Sequence, residues 1–302
     1  MHGTSGVGRH CFQLGSGALR NSPLGSRGGK RTRALLLYGD GMMKPESVSS
    51  RTSRFAITHV GQEREDAIHV IWGHGWGQSS TALFPLAESM GRFPCSSLID
   101  FPGFGNSLLP PNSWGTADYA DAVAEWLKST SCGSCVWVGH SFGGRVGIQL
   151  AARHPGLLSG MVLIAGAGLP RRRSLSEKFR VLCRRYAFRA AKLVVAEGPR
   201  RELLRARFGS PDYRTAGPLR PILTRVVNED LTAVAKTVEC PVLLLYGDRD
   251  RDTPPEIGER LHRALPNSKL IVLQGFDHHT ILLEGRHQVL RQILGFLEGI
   301  QK

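Results

Sequence analysis

The stretch "VWVGHSFGGRVGIQLAARHP", from Val136 to Pro155, sets one hydroxyl among three glycines just after a run of apolar residues. Gly139-His140-Ser141-Phe142-Gly143 fits G-x-S-x-G, and its context reads as a strand followed at once by a helix. A serine at such a turn takes a strained backbone and lifts its Oγ out of the sheet, and glycines are needed where a Cβ would strike the neighbouring strand and helix. A hydroxyl is a poor nucleophile until a histidine takes its proton and a carboxylate fixes that histidine. In this arrangement the chain order is serine, acid, histidine. The strand-like "PVLLLYG" is followed by "DRDRDTPP", with Asp248, Asp250 and Asp252 as candidate acids. After "SKLIVLQG" comes "FDHHTILLE", with His278 and His279.

The elements that must position these residues follow a repeated order. Strands are predicted at 54–60, 67–73, 95–100, 135–140, 158–167, 241–247 and 268–275. Helices are predicted after Gly77, opening on a Ser79/Ser80 cap, at 116–129 capped by Thr116, after Ser141, and at 287–300. Strands that are almost wholly apolar and alternate with helices describe an α/β fold with a mostly parallel sheet covered on both faces. Ligands bind such sheets at the carboxyl edge. Between about 168 and 232 the alternation gives way to helical pattern dense in arginine, an expected lid over that edge.

Five motifs, "HGWG" at 74–77, "DFPGFGNS" at 100–107, "GHSFGG", "GDRDRDTP" and "DHHTILLE", resemble the α/β-hydrolase superfamily of serine hydrolases over roughly 54–300. The resemblance implies the α/β-hydrolase fold, with a core at 51–167 and 233–302 and a helical lid at 168–232. It places the acid three residues after the strand-ending glycine, at Asp250, and the base five residues before a glutamate, at His279. His278 stands where the superfamily has glycine; it is the alternative base and is otherwise read as lining the pocket, with His74 and His140 also as substrate-contacting and His74 as holding the loop's shape. Asp248 and Asp252 are read as solvated turn residues. The oxyanion of acyl transfer needs two backbone donors, each worth about 3–4 kcal/mol. The N–H of Phe142 follows from the motif, and that of Trp76 from the resemblance. Dehalogenases and epoxide hydrolases of this fold need an aspartate where Ser141 stands. The expected activity is that of a carboxylesterase-like serine hydrolase with no cofactor and no metal. Lyases, cofactor-free oxygenases and a non-catalytic binding protein remain as alternatives on the same scaffold.

Charge is concentrated. The net charge is +14, yet residues 1–54 hold nine Lys and Arg against two acids, and residues 171–225 hold sixteen against four. The remainder is net acidic, which argues against a uniformly basic nucleic-acid coat. "HGWG" with "DFPGFGNS" is similar to carboxylesterases that act on carrier-tethered methyl esters, so the basic lid implies either solvated helix faces or an acidic carrier protein as partner. Residues 1–50 are read as a disordered basic extension, with Met42 or Met43 as the expected start. Six irregularly spaced cysteines and the absence of a secretory apolar region point to the cytoplasm, and Cys132-x-x-Cys135 is read as structural. No run of about 18 apolar residues occurs, so no membrane span and no membrane partner are expected.

Overall fold

The computed structural model describes residues 55–61, 68–91, 95–130, 134–172, 175–194, 198 and 210–301. The basic extension and Cys132 lie outside the described residues. Seven strands, β1 (Ala56–Val60), β2 (His69–Gly73), β3 (Ser96–Asp100), β4 (Cys135–His140), β5 (Gly160–Ile164), β6 (Val242–Gly247) and β7 (Ser268–Leu273), form one sheet in the order β1-β3-β2-β4-β5-β6-β7. Only β1 runs antiparallel to its neighbour, with Ala56 opposite Asp100. The remaining five pairings are parallel.

The helices are α1 (Phe84–Ser89), α2 (Thr116–Ser129), α3 (Phe142–Arg153), α4 (Leu175–Val194), α5 (Pro211–Thr215), α6 (Arg220–Asn228), α7 (Thr232–Ala235), α8 (Pro255–Ala264), α9 (Thr280–Leu283) and α10 (Arg286–Ile300). Successive residues of a strand point to opposite faces, so a sheet covered on both sides must be apolar at every position. In β2, Ile71 joins a core with Trp137, Leu244, Tyr119, Val146 and Leu261. Its neighbours Val70 and Trp72 join a second core with Val138, Leu245, Leu86, Val289 and Ile293 on the other face.

Two helix starts differ from the sequence reading. Thr116 is not the cap of α2. Gly115 holds that place, and its N–H donates to Asp118 Oδ2 at 2.7 Å, while Thr116 is fully buried and bonds Glu229. The chain after Gly77 makes a 3-10 turn at Ser80–Ala82 before α1, because the Ser80 N–H is drawn to Asp100 Oδ1 at 2.7 Å.

Between β5 and β6 the chain leaves the sheet for α4 to α7. The second half of this insertion packs down: Ile222, Leu223 and Val226 of α6 are buried, and Arg225 donates to Ser113 O at 2.7 Å. Arg145 of α3 donates to Glu229 O at 3.1 Å, and the Leu231 N–H to Gly168 O at 2.9 Å. By contrast, the described side chains of α4 are almost all exposed.

The turn between β4 and α3 sets the tightest packing in the sheet. A Cβ on Gly143 would lie 2.0 Å from the Gly73 carbonyl oxygen, a fixed backbone atom. Gly143→Ala is therefore expected to destabilise by about 3 kcal/mol or more. Gly295, inside α10 with open space around its Cα, is the control: Gly295→Ala should stabilise by about 0.5–1 kcal/mol. Urea denaturation of the two variants checks both signs, and a neutral Gly143→Ala would contradict the close approach.

Candidate active site

Every parallel strand ends on the same edge, and the motif residues follow those ends. Ser141 comes directly after β4 with φ 48° and ψ −102°, a left-handed backbone that a non-glycine residue holds only when its surroundings enforce it. They do so here. The Ser141 N–H donates to Ile164 O at 3.1 Å, and its carbonyl accepts from Gly144 and Ala167. Phe142 opens α3, so its N–H is among those that a helix start leaves without an intrahelical partner. Trp76 is half-buried, its ring edge-on to Phe104 and Phe142 at 4.9 and 5.6 Å.

Asp250 is buried three residues after β6. Its Oδ1 accepts the N–H groups of Asp252 and Thr253, both at 2.8 Å, and its Oδ2 takes the Nδ1–H of His278 at 2.7 Å. Burial by itself would raise the Asp250 pKa. The His278 hydrogen bond and charge, with the Thr253 donors, outweigh it and hold the carboxyl below the usual range. Because an ionised carboxylate only accepts, the hydrogen between the two groups is carried on His278 Nδ1.

Of the two adjacent histidines, His278 and not His279 lies against Asp250. His279, expected as the base, is exposed; its backbone N–H donates to Asp277 Oδ1 at 2.9 Å, and it caps the short α9. His278, expected as a substrate contact, is buried against the acid. Consecutive residues at this turn point in different directions, and only one of the two rings reaches Asp250.

His74 and His140 lie inside the fold. Both are fully buried and bond to neighbouring loops. His74 Nε2 accepts the Phe101 N–H at 3.0 Å, which requires the proton on Nδ1, 2.7 Å from Gly75 O. Desolvation dominates and lowers its pKa from 6.5 to about 4, against the opposing pull of Gly75 O and Asp100. His140 lies with Nδ1 3.1 Å from Gln78 Oε1 and Nε2 3.1 Å from the His278 carbonyl. Burial first, then the neighbouring His278, lowers its pKa to about 3.

Three supporting residues were given no role in the sequence reading, although Asp100 and Thr253 lie within its motifs. Gln78 Oε1 accepts the Gly75 N–H at 3.0 Å as well as facing His140, so one amide ties the "HGWG" loop to the residue before Ser141. Since His140 meets the His278 backbone, that tie continues to the histidine loop. Thr253 Oγ1 lies 2.9 Å from Asp250 Oδ2, 2.9 Å from Ala165 O and 3.1 Å from His278 Nδ1, closing the acid from the β5 side. Asp100 spans two loops, its Oδ1 accepting from Ser80 and its Oδ2 from the Asn106 N–H at 2.8 Å. Gly105, at φ 53°, leaves room for that carboxylate.

Asp248 serves a turn, accepting the Gly275 N–H at 2.6 Å, and the Asp252 side chain is exposed. Asp250, Asp252 and His278 offer ligand atoms within 4.8 Å of one another. Two of those three groups already spend their facing atoms on each other.

The buried neutral histidines set a pH dependence of stability. In the unfolded chain each binds a proton below about 6.5, whereas the folded pKa values are about 4 for His74 and about 3 for His140. The unfolded state therefore binds more protons between these limits, and stability falls as pH drops from 6.5 toward 4. Asp250, with its folded pKa lowered, adds a further loss only below 3.8. Urea midpoints measured from neutral pH downward should decline over this range, with a shallower decline in His140→Asn. A flat profile would contradict the neutral, buried state of both rings.

Comparison with known proteins identifies the family. The profile of the alpha/beta hydrolase family matches residues 4–292. The chain is similar to a pimeloyl-[acyl-carrier protein] methyl ester esterase from Neisseria meningitidis, 28% identical over 73% of this chain and 75% of the relative. It is also similar to a 2-(acetamidomethylene)succinate hydrolase from Mesorhizobium japonicum, 25% identical over 77% of this chain and 89% of that protein. Among solved structures, a thermophilic esterase from Thermogutta terrifontis superposes with a TM-score of 0.59 at 23% identity, covering 82% of this chain and 94% of the esterase, a likeness of fold. The sheet, its carboxyl-edge loops and the matched profile place the chain in the alpha/beta hydrolase family.

Proposed function

We propose that the protein is a serine hydrolase that cleaves a carboxylic ester or related acyl compound through an acyl-enzyme on Ser141. The observation that carries this reading is the 2.7 Å bond from His278 Nδ1 to buried Asp250, at the loop held against His140 beside Ser141. In this mechanism His278 Nε2 takes the Ser141 proton as Oγ attacks the acyl carbon. The N–H groups of Trp76 and Phe142 hold the oxyanion. His278 then returns the proton to the leaving alcohol, deprotonates a water for the second attack, and gives that proton back to Ser141 Oγ as the acid departs. Asp250 stays ionised throughout and stabilises the imidazolium.

A second reading has the acyl group tethered to an acidic carrier. It is favoured by the sixteen Lys and Arg of residues 171–225 and by the name of the Neisseria relative. The methyl ester chemistry of that relative and the hydrolase activity of the other support hydrolysis over lyase or oxygenase chemistry on this scaffold.

Fluorophosphonate labelling should modify wild type at Ser141, and Ser141→Ala should lower ester turnover by about 10⁴-fold or more. His278→Ala should fall by about 10³-fold or more, while His279→Ala stays within about threefold of wild type. The reverse order of the histidine variants would return the base to His279, and a lyase or oxygenase would show no acyl-enzyme burst.

Gln78 acts at one remove, as a positioning residue for the Trp76 loop. Gln78→Leu should reduce kcat by about tenfold with KM little changed, and Gln78→Glu, which keeps an acceptor for Gly75 N–H, should recover most of it. Unchanged kcat in Gln78→Leu would remove the bridge from the catalytic account.

A further inference from the structure

Helix α4 leaves large apolar side chains in water. Phe179 is 68% exposed, Leu182 48% and Tyr186 60%. They stand at i, i+3 and i+7 and so form one stripe along the helix, which exposed Ala190 extends. Exposed Arg180 and Arg189 lie roughly 100° to one side of Phe179 and roughly 80° to the other. By sequence the helix holds six Lys and Arg against one Glu. The exposure is a property of α4 and not of the whole insertion, since α6 buries its own apolar face.

Charge and shape decide what covers the stripe. Pairing with a second copy would set two strongly cationic helices side by side, with one acid apiece to offset the repulsion. A protein partner would need a groove complementary to a convex helix. An anionic lipid surface needs no such shape: apolar side chains enter the acyl boundary while flanking guanidinium groups reach the phosphates. Tyrosine suits that depth, apolar in its ring and wet at its hydroxyl. A second apolar prong lies in the loop after β3, where Leu108 is 77% and Leu109 55% exposed. That loop and the insertion both leave the carboxyl edge of the sheet, and Leu108 is fixed by its carbonyl accepting the Gly103 N–H at 2.8 Å.

We propose that α4 is an interfacial helix that docks the protein onto anionic phospholipid, with Phe179, Leu182 and Tyr186 in the acyl boundary and Arg180 and Arg189 among the phosphates. The sequence-based expectation of no membrane partner rested on the lack of a spanning segment, and a helix lying in the interface needs none. Among the described residues no helix is long and apolar enough to cross a membrane. The proposal is independent of the reaction at Ser141.

The test is flotation of the full chain with vesicles of phosphatidylcholine alone and with about one third phosphatidylglycerol. Binding is expected to the anionic vesicles, to weaken with added salt, and to be slight on the neutral ones. The triple variant Phe179→Ser, Leu182→Ser, Tyr186→Ser should lose about tenfold or more of that partition with an unchanged melting curve. Arg180→Glu with Arg189→Glu should remove the preference for anionic lipid. Absence of vesicle binding, or equal binding by the triple variant, would overturn the proposal. So would a dimer in light scattering that the triple variant dissolves, or stripe-dependent binding to an acidic acyl carrier protein without binding to vesicles.

Discussion

The approach of α3 to the end of β2 constrains the rest of the active edge. Gly143 sits so close to Gly73 that no side chain fits between them, and its N–H donates to His74 O at 3.0 Å. This contact draws the first turn of α3 under the "HGWG" loop and forces Ser141 into its left-handed backbone. The strain is held by bonds on three sides: Ile164 O at the Ser141 N–H, and Gly144 and Ala167 at its carbonyl. Trp137 completes the clamp, its indole N–H donating to Gly143 O at 3.0 Å from the core beneath.

Around that turn lies a largely buried polar framework. Asp100, His74, Gln78 and His140 join loops from different strands, and most of their partners are backbone groups. Backbone partners suit the task because they cannot rotate away. Buried imidazoles that must stay neutral are held there by desolvation, and His74 in addition by a backbone N–H that only an unprotonated nitrogen can accept. The Asp250–His278 pair differs from them in being an ionised acceptor with a donor it can stabilise as a cation. One edge of the sheet thus carries two histidines that face backbone and amide groups and one that is bonded to a carboxylate.

The insertion divides along similar lines. Its second half is tied to the core through Glu229, Arg225 and Leu231, whereas α4 presents aromatic and cationic side chains outward. Residues that would bury on a core face instead line a stripe bordered by arginine, which is why composition alone left this segment readable as a solvated surface.

Much of this was present in the chain as a string. Near-continuous apolar runs specify strands covered on both faces, and β4 and α2 fall at the residues read from the pattern, because period and composition act locally. The G-x-S-x-G turn was legible from residue type and spacing, although the space denied to a Cβ on Gly143 is taken by the Gly73 carbonyl seventy residues away. The antiparallel pairing of β1 was not, since a strand of that composition fits either direction. Nor could adjacency in sequence separate His278 from His279. Two identical side chains one residue apart are equivalent to any local rule, and only the fold, by bringing Asp250 from 28 residues away against one of them, made them different. Gln78 and Thr253 belong with that second group, because their partners are chosen by strands meeting in space and their residue types announce nothing. Sequence determined which elements form and which chemical groups stand at their ends. Tertiary structure decided which of those groups face one another, because direction at a loop is set by what the loop packs against.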